Sequence, residues 1–295
     1  MLFALVSNGT LLTPEQPDTT VPWWSFSKTV LAAAALSLVR DGLTVLDKTV
    51  PEGPFTLRQL LRHEAGLADY SELADYHTAV ARHDIPWPAD DLLQRLDAGR
   101  LRYAPGDGWR YSNVGYLYIA RLIQRVTGLC LEEALTQQVL TPLGLSQVRL
   151  AKNRRDLHGV DMGGAIDYDP GWVYHGLLVG PLEEAALGLD RLLSGHLLPF
   201  DLLREMQEAR PLGGPIPARP WMSPGYGLGL MQGMETGGLN LSGHTGGGPG
   251  SVVAVYRGIH GDNTASCAVF QANTHEGVVE TEAVKRLSVI LNASV

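Results

Sequence analysis

The chain has 295 residues, enough for one large domain or two interleaved lobes that bury most of their surface without disulfides. Its 45% hydrophobic and 18% charged composition is that of an ordinary globular chain, and 23 Lys and Arg against 31 Asp and Glu leave a net charge of −8. Without a basic cluster that balance excludes nucleic acid and a membrane surface as expected partners, and the longest uncharged apolar stretch, residues 29–39, is about half of the roughly 20 residues a membrane span needs.

Residues 1–12 read as a strand and turn. They are apolar, but the first positive charge is Lys28 and no small-x-small cleavage site follows. A cytoplasmic location is therefore expected, with a periplasmic one as the alternative if the natural N-terminus is longer. Residues 25–39, SFSKTVLAAAALSLV, are apolar nearly all round after Lys28, as in a helix buried on every side, and Gly42 suits its left-handed end. Thr56 caps a helix running toward Gly66, and residues 89–98 form a short charged one. After Tyr111-Ser112-Asn113, apolar and basic positions alternate at helical spacing up to Gly128. Residues 131–140 and 182–193 give two more helices. Strand character appears at 226–232, 239–242, 251–257 and 265–272, and residues 276–291 read as an amphipathic helix.

Helices in the middle and strands toward both ends predict an α+β fold, an antiparallel β-sheet formed from both chain ends and flanked by helices, with an inserted mainly helical lobe. The boundaries are residues 1–54 with 215–295 for the α/β lobe and 55–214 for the helical lobe, in a single unit over 1–295. A cleft between sheet and lobe is the default binding site.

Three short motifs sit where these elements begin or end. In Ser25-Phe26-Ser27-Lys28 a spacing of three puts Ser25 and Lys28 on one helical face, where the amine reaches a hydroxyl that needs a base to become a nucleophile. An N-capping Ser and a surface Lys fit the same residues. In Tyr111-Ser112-Asn113, a Tyr oxygen near a Lys cation is pushed toward its anionic form and serves as a base, while the Asn amide holds a substrate carbonyl. A core Tyr and an Asn cap are the alternative. In His244-Thr245-Gly246-Gly247 the glycines let a substrate lie against a strand edge with a main-chain N–H aimed at an oxyanion, or they simply make a hairpin with a surface His.

Ser-x-x-Lys, Tyr-x-Asn and His-Thr-Gly in that order resemble the serine β-lactamase and penicillin-binding-protein superfamily, closest to its class C β-lactamase, D-Ala-D-Ala carboxypeptidase and family VIII esterase branch. TLRQLLRHEAGL, APGDGWRYSNVGYLYIARLIQRVTG, LTPLGL and DPGWVYHGLLVGPLEEAALGLDRLL are similar to the corresponding segments of that family, so the resemblance spans residues 24–274. It implies a β-lactamase/transpeptidase-like fold and a cofactor-free, metal-free serine hydrolase acting through an acyl-enzyme on a small ester, amide or peptide, as a single catalytic unit. By that resemblance Ser25 is the acylated nucleophile, Lys28 and Tyr111 are a coupled pair of proton-transfer groups, and Asn113 positions the acyl amide. The N–H groups of Ser25 and Gly247 form the oxyanion hole, with His244, Thr245 and Gly246 on the substrate-binding strand. β-Lactamases of this branch more often carry Lys where His244 stands. Esterase or D-amino-acid peptidase/amidase activity therefore leads, with β-lactamase and a non-catalytic penicillin sensor as alternatives. A protonated His244 beside a substrate carboxylate would make selectivity depend on pH.

The remaining candidates carry less. His63-Glu64 lacks the second His of a zinc protease, which leaves a helix-end hydrogen bond, and Trp172, Tyr174 and His175 either border the cleft or pack a loop. Cys130 and Cys267 match no metal or redox spacing and are expected to be buried thiols.

Overall fold

The computed structural model of the protein describes residues 1–13, 19–165 and 167–292. The strands are β1 (Leu2–Ser7), β2 (Thr10–Leu11), β3 (Thr20–Pro22), β4 (Arg149–Ala151), β5 (Leu177–Pro181), β6 (Arg210–Pro211), β7 (Trp221–Tyr226), β8 (Met231–Glu235), β9 (Asn240–Gly248), β10 (Ser251–His260) and β11 (Asn263–Ala272). The helices are α1 (Ser27–Arg40), α2 (Leu57–Leu61), α3 (Ala74–Ala81), α4 (Ala89–Arg95), α5 (Asn113–Thr127), α6 (Leu131–Leu135), α7 (Leu182–Leu193), α8 (Phe200–Gln207) and α9 (Glu276–Asn292).

An eight-stranded sheet in the order β2-β1-β11-β10-β9-β8-β7-β6 forms the frame, and β3-β5-β4 make a smaller one. The first strand pairs antiparallel with the last, Leu2 opposite Phe270 and Ser7 opposite Ala265, so the two ends of the chain meet in one sheet. Because side chains alternate along a strand, β10 and β11 serve two layers at once. Val253, Val255, Ala268 and Phe270 enter the larger core, whereas Val252, Ala254, Tyr256, Cys267 and Val269 meet Val279, Ala283 and Leu287 of α9. The α+β class with its antiparallel sheet and flanking helices is thus as expected.

Helix α1 is buried from Ser27 to Leu38, enclosed by α5, α6 and a π-helical turn over Thr136–Leu140. Its α-helical part begins two residues later than its apolar pattern suggests, because Ser25 lies in a 3₁₀ turn over Trp24–Phe26. Helix α2 is capped as expected, Thr56 and Gln59 exchanging backbone and side-chain hydrogen bonds in a capping box. No helix among the described residues is long and apolar enough to cross a membrane.

Two expectations are corrected. The apolar run at 226–232 is not one strand: β7 ends at Tyr226, β8 begins at Met231, and the segment between them turns. Its Leu228 and Leu230 are apolar because the turn inserts into the core beneath α1, where Gly229 carries Lys28-side contacts that no side chain could share. The Thr29 hydroxyl donates to Gly229 O at 2.8 Å, fastening the turn to α1. Cys267 is buried as expected, but Cys130 is exposed, at the start of α6.

Gly229 has φ +78°, and a Cβ there would lie 2.3 Å from Ala32 Cβ. Gly229→Ala combines a left-handed backbone penalty with overpacking, so a loss of about 2–4 kcal/mol is expected in urea unfolding. A variant as stable as the wild type would show that the turn does not press on α1.

Candidate active site

The site begins with a strained turn. Trp24 holds a left-handed φ of +42°, which a bulky residue adopts only when its surroundings fix it. Here the Trp23 N–H donates to Leu178 O at 2.8 Å, the Trp24 indole N–H donates to Ser251 Oγ at 3.1 Å, and the Trp24 ring packs edge-on against Tyr168. Strand β9 supports the turn from the sheet side. A Cβ on Gly246 would come within 2.5 Å of the Ser25 nitrogen, so glycine is what lets the strand and the turn touch. The neighbouring Ser27 is committed elsewhere, its Oγ accepting the Leu178 N–H.

One helical turn on, Lys28 Nζ lies 3.2 Å from Ser25 Oγ and 3.1 Å from His175 Nε2, and the rings of Tyr111 and Tyr116 face it at 5.1 and 5.6 Å. The side chain is fully buried, and burial pulls its pKa down from the usual lysine range to about 7, with the charge of Asp69 opposing the shift. An amine so placed is part neutral near pH 7 and equipped to take a proton from the hydroxyl it touches.

Tyr111 is brought to the same spot, but not as the sequence chemistry suggested. Burial raises its pKa, with Ser25 the neighbour that pulls the other way, so it is a neutral phenol and not a phenolate. The physical reason is desolvation, which disfavours the phenolate in this sealed interior, and the charge of Asp69 adds to the rise. The hydroxyl completes no hydrogen bond of ordinary geometry with the described residues. Asn113 begins α5 with its backbone N–H and its Nδ2 both donating to Asp69, the latter at 3.1 and 3.0 Å. That orientation leaves the Asn113 carbonyl oxygen to accept an N–H from a bound molecule.

On β9, pairing with β8 stops at Gly243 while pairing with β10 continues to Gly248, so residues 244–248 present an open edge beside Ser25. Alternation sends His244 to the interior and Thr245 toward α9. His244 Nδ1 lies 2.7 Å from Thr245 O, which can only accept, so Nδ1 carries the proton and Nε2 accepts from the Tyr226 hydroxyl at 2.9 Å. Burial, and next the charge of Lys28, lower the His244 pKa to about 3. His244 is therefore neutral from pH 6 to 8, and the expected pH-dependent selectivity loses its basis. The Thr245 hydroxyl is held by Tyr256 Oη at 2.7 Å and by the buried carboxylate of Glu280, which also pairs with Arg219 and Trp221.

Ser25 opens on two cavities. The larger, about 610 Å³, is bordered by Trp109, Tyr111, Tyr226, Arg219, His244 and Gly247. The smaller, about 210 Å³, is lined chiefly by Trp24, Tyr70, Tyr76, Tyr168, Val173 and His175. Asn113 borders both. Among the described residues no group of His, Cys, Asp and Glu is arranged to hold a metal ion.

Over residues 1–289 the sequence matches the family described as Beta-lactamase. The protein belongs to the Beta-lactamase family. Its relatives within and around that family include the D-aminopeptidase of Brucella anthropi, 28% identical over 79% of this chain and 46% of that protein. Penicillin-binding protein 4* of Bacillus subtilis is 28% identical over 51% of this chain and 34% of its own length. The chain spans about a third to a half of the length of these curated relatives. Among solved structures, D-amino acid amidase from Ochrobactrum anthropi SV3 superposes with a TM-score of 0.78 at 21% identity, over 99% of this chain and 94% of that one, and shares the fold.

Several residues of this Beta-lactamase-family site lie outside the sequence motifs. His63, just past α2 with φ +59°, accepts the Ser112 N–H at its Nδ1, so its bond crosses to the Tyr-Ser-Asn turn and does not close its own helix. Its ring is surrounded by Trp109, Tyr111, Tyr116 and Tyr226. Of the Trp172, Tyr174 and His175 group, His175 reaches the cleft, while Trp172 packs on Tyr76 and Trp87 and Tyr174 on Tyr70. Asp69 and Tyr226 had no local signal at all.

The depressed amine has a consequence for stability. Lys28 titrates at about 7 in the folded chain and at 10.5 when unperturbed, so between those values the unfolded chain binds the extra proton and stability rises with pH. Lys28→Met removes that dependence. Its advantage over the wild type in urea unfolding is expected to be largest at about pH 7 and below and to shrink toward pH 10. A gap that stays constant with pH would mean that the folded amine remains charged.

Proposed function

We propose that the protein is a serine hydrolase that forms an acyl-enzyme at Ser25 on small amides or esters. The observation that carries this reading is the buried Lys28 amine, poised near neutral pH and 3.2 Å from the Ser25 hydroxyl. In acylation the Ser25 proton passes to Lys28 Nζ as Oγ bonds to the substrate carbonyl carbon, and the N–H groups of Ser25 and Gly247 receive the oxyanion. The C–N or C–O bond to the leaving group then breaks, and the leaving group takes a proton from Tyr111, which Lys28 replenishes. Water hydrolyses the ester by the same transfers in reverse, restoring the Ser25 hydroxyl.

The two cavities support a division of the substrate. The aromatic-lined 210 Å³ cavity suits an aryl or branched acyl side chain, with the acyl amide N–H on Asn113, and the 610 Å³ cavity takes the leaving group. D-Amino-acid amides or peptides and simple esters both fit, and the names of the relatives, D-aminopeptidase and Esterase EstB of Burkholderia gladioli, favour the same pair. β-Lactam hydrolysis is less favoured, because neutral His244 offers a carboxylate no charge and Arg219 already faces Glu280.

A fluorophosphonate is expected to give one adduct by intact mass, located on Ser25 and lost in Ser25→Ala; an adduct on Ser27 would overturn the assignment. Lys28→Ala and Tyr111→Phe should each lower kcat by about 10²-fold or more with little change in KM. Because the base must be unprotonated, kcat/KM should rise with pH through about 7. The ratio of carboxylate-bearing to neutral substrate turnover, by contrast, should stay flat from pH 8 to 6, since His244 does not titrate there. A ratio that climbs as pH falls would restore His244 as a charge sensor.

A further inference from the structure

The proton transfers described above use one side of the Lys28 amine and leave its other hydrogen-bonding partner without a role. His175 Nε2 lies 3.1 Å from Lys28 Nζ, as close as Ser25 Oγ on the same atom. The imidazole is held firmly: it stands two residues before β5, and β5 is tied at Leu178 both to the Trp23 N–H and to the Ser27 hydroxyl of the nucleophile turn. Its ring is buried, and its Nδ1 has no partner among the described residues.

We propose that His175 is a positioning residue for the acylation base, its Nε2 accepting one Lys28 N–H so that the lone pair of the neutral amine points at Ser25 Oγ. A neutral amine has two hydrogens and one lone pair. With one hydrogen on His175 and the ring faces of Tyr111 and Tyr116 beside the other, the lone pair is left for the serine proton. No partner holds Nδ1 among the described residues, so the tautomer is set at Nε2, which has to accept whenever Lys28 is an ammonium with donors alone. An uncharged partner also matters. Burial, followed by the Lys28 charge, keeps the His175 pKa well below the usual histidine range, so the ring accepts a hydrogen bond without the negative charge that would hold Lys28 as an ammonium.

The groups that face Lys28 from its surroundings are Asp69 from the loop ahead of α3, His63 beyond α2, Tyr111 and Tyr116 at α5, and His244 on β9. None of them changes in the test that follows. The proposal rests on the Ser25–Lys28 reading, and the experiment separates the two. The second-order rate of Ser25 labelling by a fluorophosphonate is measured by intact mass across pH, for the wild type and for His175→Gln, His175→Asn and His175→Leu.

Gln carries an acceptor oxygen to the position of Nε2, and its rate is expected to stay near that of the wild type. Asn places the same amide nearer the position of Nδ1, short of Lys28, and Leu has no acceptor. Both are expected to slow labelling by about 10- to 100-fold, the scale of a misplaced reacting group. In the Leu variant the ammonium also loses an acceptor, so the acid limb of the pH profile should move to lower pH. Equal slowing in Gln, Asn and Leu would reduce His175 to packing and overturn the proposal, as would wild-type rates and an unmoved acid limb in all three. If the Leu variant fails to fold by circular dichroism, the Gln and Asn pair decides alone. A wild type that is not labelled at Ser25 overturns the acyl-enzyme reading, and this proposal with it.

Discussion

An amine without a contacting carboxylate, sealed in the interior, sets the terms for everything around it. Lys28 has a hydroxyl, an imidazole and two aromatic faces for company, and Asp69, the charge that opposes its desolvation, is engaged with Asn113. Charging such a group is costly, so the protein holds it near the point where it is as often neutral as protonated. The same burial, followed by the charge of Lys28, keeps His63, His175 and His244 uncharged, and burial keeps Tyr111 and Tyr226 protonated. The centre is thus a set of neutral hydrogen-bonding groups arranged around one group that titrates.

The sheet supplies the geometry that this chemistry needs. Strand β9 is a paired strand up to Gly243 on one side and an open edge beyond it, and the change occurs where the Ser25 turn docks. Gly246 accommodates the Ser25 backbone, Gly248 accommodates the Trp24 ring, and a Cβ on Gly247 between them would meet Glu276 and Val252 at ordinary contact distances of 3.5 and 3.8 Å. Three adjacent glycines therefore answer to three different neighbours. On the opposite face, the Glu280 network fixes Thr245 from α9, so the strand is gripped from both layers.

The parts of the fold and site that were legible in the sequence are those whose information is local. Ser25 and Lys28 meet because one helical turn separates them, and the all-round apolar pattern of α1 announces its burial. The strands β10 and β11, rich in Val and Ala, were legible for the same reason. What was missed depends on contacts made across the chain. Leu228 and Leu230 look like strand residues, yet they are apolar because a turn plugs into the core. His63 and His175 are separated by more than a hundred positions and converge only when α2 and β5 pack around α1, so no spacing could link them. The charge states misled for a related reason: sequence treats Lys28 as a cation acting on Tyr111, and only the interior shows the amine depressed and meeting the ring's face.

The two cavities that open at Ser25 are walled by different stretches of chain. Leu212, residues 214–217 and Trp109 border the larger one, and Tyr70, Tyr76, His77 and Val80 border the smaller, while Ser25, Ser71, Asn113 and Gly247 are common to both. The wall-forming segments are connections and short helical turns, outside the frame of α1 and β9 that holds the reacting groups. Selection can therefore act on one wall at a time. Exchanges at 214–217 reshape the larger cavity and exchanges at 76–80 the smaller, and neither set includes a residue that the two cavities share. That modularity gives a physical basis for the two cavities to change shape separately around one unchanged centre.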